Sequence, residues 1–194
     1  AVSLLTYSVV DWILGEESSI VDGSFNSTER SLITAYLSAG RGLLVSGSEF
    51  AWHLEALGGG PDFLHDQLRT GFVADDAGTY TVQSVAGAAF ASLGTLHFDA
   101  PGEYDVDYPD VLAPLAGAQT ALTYVNASTP GAAAIQYAQG CQRVLTLGFP
   151  IETLRHAERA QLMPAALTFL DACWLDTAIT SPADGVYLNG TPTL

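Results

Sequence analysis

Apolar residues fall in short runs, and the spacing inside those runs alternates between strand and helix periods. Residues 8–14 (SVVDWIL) form a β-branched and aromatic run that stops at Gly15, the pattern of a buried strand. After an acidic loop over 15–25, Asn26 and Glu29 have the spacing of a capping box, and Leu32, Ile33, Tyr36 and Leu37 recur at helical spacing up to Gly40. Residues 42–47 (GLLVSG) read as a second apolar strand, and 49–57 as the helix after it, ended by Gly58, Gly59 and Gly60. Pro61, at a first-turn position, opens another short helix through Leu68.

From 71 to 138 the pattern changes to short alternating runs at 80–85, 95–98, 121–125 and 132–137, broken by Gly, Pro and Asp. This predicts an antiparallel β insertion or sheet extension, with a hairpin around 126–131. Residues 143–147 return as a core strand, and 154–170 as the last helix, interrupted or restarted at Pro164. The short strand–helix alternation predicts an α/β fold with a mostly parallel sheet between helices, a three-layer sandwich. One domain is expected over 1–175, with 176–194 as a linker or the start of a following module. Residues 1–5 read as the tail of a helix whose preceding strand lies upstream or in a companion chain.

Charge narrows the partners. The chain of 194 residues has 21 acidic residues against six Arg and no Lys, a formal charge of −15. Such a surface repels phosphate backbones and anionic headgroups, which argues against nucleic acid and membrane surfaces. No apolar stretch reaches the roughly 20 residues of a membrane-spanning helix. Cations, carbohydrate and basic protein surfaces remain, as do other domains of the same polypeptide.

Two cysteines are too few for a disulfide scaffold and are not spaced as a zinc site. Cys141 opens the last core strand, and Cys173 closes the helix after it. In a strand-then-helix unit the helix runs back antiparallel and returns its C-terminus to the start of the strand. A Cys141–Cys173 disulfide is therefore expected, and with it an oxidising, secreted or cell-surface location.

In parallel α/β sheets ligands bind outside the carboxyl ends of the strands. The loops there gather Glu16, Glu17, Asp22, Ser48, Glu49 and Glu152 near one crevice, with Trp52 and Phe149 beside them as further ligand-binding candidates. The order Trp12–Ser18 (Trp-x-x-Gly-Glu-Glu-Ser), Ser46–Glu49 (Ser-Gly-Ser-Glu), Asp75–Gly78 (Asp-Asp-Ala-Gly) and Gly148–Glu152 (Gly-Phe-Pro-x-Glu) resembles the class I glutamine amidotransferase-like, flavodoxin-like fold. It is most similar to the divergent extracellular branch found as accessory modules in large secreted bacterial proteins. The resemblance covers about residues 8–172.

Catalytic members of that fold place a cysteine at the sharp turn after a core strand and a histidine before a Pro-Glu element. Here the turn reads Ser46-Gly47-Ser48-Glu49, and Phe149 precedes Pro150. A nucleophile needs an adjacent base, so Ser48 alone cannot be activated and amidotransferase chemistry does not carry over. Of His53, His65, His97 and His156, only His53 and His156 are expected near the crevice.

Two readings of the carboxylates stand. Glu16, Glu17, Asp22, Glu49 and Glu152 have the chemistry of Ca²⁺ ligands or, with Glu49 and Glu152 foremost, of a paired acid and base, Ser48 standing beside them as a further catalytic candidate. Alternatively Glu49 and Glu152 cap helix N-termini. Asp75–Gly78 reads as a turn, and Asn26, Asn126 and Asn189 open glycosylation sequons. The leading expectation is a non-catalytic binding or scaffolding module; the alternative is a hydrolase using the Glu49/Glu152 face, with or without a metal.

Overall fold

The computed structural model describes residues 3–16 and 23–173. The element order is β1 (Val9–Glu16), α1 (Ser27–Ser38), β2 (Gly42–Ser48), α2 (Phe50–Glu55), α3 (Pro61–Asp66), β3 (Thr70–Ala74), β4 (Thr81–Ser84), β5 (Thr95–His97), β6 (Val111–Pro114), β7 (Ala118–Tyr124), β8 (Ala132–Gln139), β9 (Gln142–Leu147) and α4 (His156–Leu170). Short 3-10 turns lie at Leu4–Thr6 and Ile151–Thr153. The first of these stands where a helix tail was expected.

The nine strands form one mixed sheet, in the order β1-β2-β9-β8-β7-β4-β5, with β6 pairing to β8 and β3 to β6. Only β1–β2 and β2–β9 pair in parallel. The other pairs are antiparallel, so the expectation of a mostly parallel sheet is corrected. The cause is local. Gly140 has φ 56°, and Gln139 pairs with Gln142, so β8 turns straight into β9 as a hairpin; a parallel neighbour would have needed a crossover. The predicted antiparallel run is an extension of this same sheet.

Two clusters pack on the parallel strands. Ile33, Tyr36 and Leu37 of α1 join Leu43, Val45 and Val144, while Leu162, Ala166 and Leu170 of α4 join Leu44 and Leu145. Alternation along β2 and β9 sends successive residues to opposite clusters, and all of β2 is buried.

The capping box on α1 forms as the sequence predicts: Asn26 Oδ1 accepts from Thr28 N at 2.9 Å and Glu29 N at 3.0 Å, and Glu29 Oε2 accepts from Asn26 N at 2.9 Å. The side chain of the Asn26 sequon is thereby engaged. Pro164 does not interrupt α4, which runs unbroken over its 15 residues. Pro164 and Ala160, whose carbonyl loses its partner, are both exposed, so water can satisfy that carbonyl. Cys141 and Cys173 form the expected disulfide, with Cα atoms 5.3 Å apart. Among the described residues no helix is long and apolar enough to cross a membrane. The tail at 176–194 lies outside the described residues, as does the Asn189 sequon.

Candidate functional site

The carboxyl ends of the three parallel strands share one rim. Glu16 pairs in register with Ser48, and Ser46 with Leu147, so the segments beginning at Gly15, Ser48 and Gly148 lie side by side. Glu17 and Asp22 lie outside the described residues.

Ser48 is fully buried, and its hydroxyl has no hydrogen-bond partner among the described residues. The next residue, Glu49, turns the chain sharply into α2 with φ 60° and ψ −4°. Its side chain makes no cap hydrogen bond, which corrects the capping reading. The donors it would have taken belong to Asp110: Oδ2 accepts from Ala51 N at 2.9 Å and Oδ1 from Trp52 N at 3.2 Å.

Asp110 is fully buried. Burial pushes its carboxyl well above the usual carboxylate range, the two amide donors oppose that shift, and the nearby charges of Asp75 and Glu49 reinforce it. Tyr124 Oη donates toward the Asp110 carbonyl at 3.0 Å, with Gly148 O as a second acceptor at 3.2 Å. A Cβ at Gly148 would collide with the Asp110 carbonyl, so only glycine allows this approach.

Glu152 accepts a 2.7 Å hydrogen bond from Tyr104 Oη at Oε1, while its Oε2 is buried without a partner. Its backbone carbonyl accepts from Arg159 Nη1. A Cβ built on Gly15 would stand 3.6 Å from Tyr104 Oη and 3.7 Å from Glu152 Oε1, which places that pair against the end of β1. The hydroxyl of Tyr104 titrates well above its ordinary range, through desolvation first and then its hydrogen bond to Glu152.

Glu16 Oε1 accepts from Asp107 N at 2.6 Å. Its carboxyl is raised, by desolvation first and then, against the opposing Asp107 amide, by Asp107, Glu49 and Asp105. Asp11, on the exposed face of β1, is raised from 3.8 to about 6 by desolvation and by Glu152. The rim is therefore an acidic surface. Among the described residues no three His, Cys, Asp or Glu side chains converge as a metal site.

No histidine meets Ser48. His53 Nδ1 instead accepts from Ser24 N at 3.3 Å, and a Cβ at Gly23 or Gly59 would strike its ring. His65 pairs with Glu55 at 3.0 Å and His97 with Glu158 at 2.9 Å. His156 begins α4 exposed.

Phe149 is fully buried and stacks on Phe98 with centroids 4.4 Å apart, so it offers a ligand no surface. Trp52 is half-buried. Asp76 Oδ1 accepts from Gly78 N at 2.7 Å, forming the predicted turn at 75–78. Two open clefts lie in other parts of the molecule. One of about 690 Å³ has Ser31, Thr34, Asp62 and Asp66 in its walls, and one of about 500 Å³ has Ser92, Gln136 and Phe169.

Asp110, Tyr104 and Asp11 are the site residues that sequence reasoning missed. Only Asp11 had a visible signal, as the one charge inside an apolar strand.

No family model and no curated protein matches the chain. Among solved structures it is similar to the β-galactosidase from Rahnella sp. R3, with a TM-score of 0.58, 17% identity and 86% of this chain covered. The mmIFT52 N-terminal domain matches with a TM-score of 0.53 at 14% identity, covering 75% of this chain and 72% of that one. The carbohydrate deacetylase Agd3 aligns with a TM-score of 0.47 at 14% identity, over 84% of this chain and 24% of that one. The first two likenesses concern the fold, and this chain spans 23% of the length of the β-galactosidase.

Proposed function

We propose that this chain is a non-catalytic accessory domain, used for binding or scaffolding within a larger exported protein. The observation that carries the reading is the state of Ser48: a fully buried hydroxyl with no partner among the described residues, and no histidine on it. At the place where the resembled amidotransferase-like family has its histidine, Phe149 is stacked into the core. A nucleophile without a base, closed off from solvent, has nothing to attack with and nothing to attack.

Helical clusters on both faces of β1, β2 and β9 support the flavodoxin-like, three-layer reading of this half of the sheet. The disulfide supports an extracytoplasmic location. The acidic rim and the −15 charge favour partners that are basic or neutral, carbohydrate included.

The alternative, a hydrolase using Glu49 and Glu152, draws on the buried, unpartnered Oε2 of Glu152. One experiment separates the two. Glutamine, ester and glycoside substrates are offered to the wild-type protein and to Ser48→Ala, Glu49→Gln and Glu152→Gln. No turnover is expected from any of them, and turnover abolished by one of these replacements would end the accessory reading.

A further inference from the structure

β1 stands at the end of the sheet with no strand paired to its outer edge among the described residues. Its sequence, VVDWILGE, does not look like an edge. Edge strands of natural proteins are guarded by charged side chains, proline or bulges, whereas runs rich in Val, Ile and Leu belong to parallel strands with neighbours on both sides. β1 has no Pro, its one charge before the strand end is Asp11, and its one register shift lies between Ile13 and Gly15, leaving residues 9–13 regular.

The face beside that edge is also incompletely covered. Val9 packs against the α4-side cluster, but further along the same face Asp11 is exposed and Ile13 is 51% exposed. Tyr7 and Leu5, just before the strand, are 51% and 48% exposed. On the opposite face Val10 and Trp12 pack against the α1-side cluster, which holds the strand straight for a neighbour.

We propose that the outer edge of β1 is a docking site for an extended, β-branched segment of another chain or domain, with a basic side chain set opposite Asp11. This inference rests on the accessory reading and names the kind of partner such a domain would take. Main-chain pairing would supply the affinity and the alternate side chains the selectivity. Charge complementarity chooses the occupant. Asp11 lies within the field of Glu152 and has no ion-pair partner among the described residues, so a lysine or arginine arriving there would offset that repulsion. A second copy of the chain would bring −15 further charges, no lysine, and an Asp11 of its own to the same strand.

The test uses the whole chain and two short synthetic peptides, one alternating valine with lysine and the other valine with glutamate. Binding is read from tryptophan fluorescence and from slowed hydrogen exchange of the β1 amides that point away from β2. The lysine peptide is expected to bind and the glutamate peptide to fail. Asp11→Lys is expected to reverse that preference, and Ile13→Lys to weaken binding about tenfold or more. Both sites are exposed, so the variants should fold, which circular dichroism checks.

Failure of both peptides would overturn the proposal. So would lysine-peptide binding indifferent to Asp11→Lys, which marks general attraction to an acidic surface. Protection in the free protein of the β1 amides that point away from β2 would also overturn it, with release by dilution showing a second copy and release by truncation after Cys173 showing the chain's own tail. Substrate turnover with peptide binding intact would end only the accessory reading; absent binding with no turnover ends only the edge proposal.

Discussion

Asp110 Oδ2 accepts the backbone amide of Ala51 at 2.9 Å, joining the loop before β6 to the first turn of α2. The carboxylate does for α2 what a local cap does for α1, and it holds the turn that follows Ser48. Asp110→Ala leaves two helix donors facing a dry interior, so it should cost about 2–4 kcal/mol. Asp110→Asn keeps one acceptor oxygen and should cost less. Urea unfolding monitored by tryptophan fluorescence measures both, and equal stability of the alanine variant would contradict this role.

Ser48→Ala removes a hydroxyl that is buried without a partner. Taking away an unsatisfied polar group relieves a desolvation cost, so the variant should be as stable as the wild type or more so. A loss of more than about 1 kcal/mol would mean that the hydroxyl has a partner in solution.

Burial first and Arg30 second lower the pKa of the His53 ring from its ordinary 6.5. In the pH range between its folded pKa and 6.5 the unfolded chain binds more protons than the folded one. Stability from this group is complete above 6.5 and is lost as pH falls through the folded pKa. Unfolding free energy measured against pH should show this fall, and His53→Gln should flatten it.

Asp11 works in the opposite sense. Its folded pKa of about 6 exceeds the ordinary 3.8, so the folded state binds the extra proton and stability declines as pH rises across that interval. Asp11→Asn should remove the decline and leave the protein more stable than wild type at neutral pH. A denaturation series from acid to neutral pH, run on both proteins, checks the sign.

How much of this was legible in the sequence depends on how far each signal reaches along the chain. The capping box spans four residues, and Asn26 with Glu29 announced it fully. The disulfide was legible because strand-then-helix geometry returns Cys173 to Cys141, and the shared rim followed from the same βαβ logic. Asp110 could not be read, because its partners Ala51 and Trp52 lie 59 and 58 residues away and nothing local marks an aspartate as a remote cap.

β3 and β6 escaped for another reason. β3 follows a left-handed Arg69 and contains Gly71, and β6 ends on Pro114, so turn signals masked a pairing that exists only across the sheet. The parallel reading went too far at β8, where Gly140 could be seen but not the direction in which it would send the chain. Pro164 was overrated as a helix breaker because its exposure to water depends on which face of α4 packs inward.

The Cys141–Cys173 bond closes β9, the Gly148–Glu152 rim segment and α4 into a covalent ring with a sequence separation of 32. Opening it by the paired Cys141→Ala and Cys173→Ala replacement should cost about 3–4 kcal/mol, the chain entropy released to an unfolded loop of that length. The ring also changes what a protease can do. A single cut inside it severs the chain but leaves both fragments tethered, so damage in an extracellular setting would not release the rim until a reductant arrived.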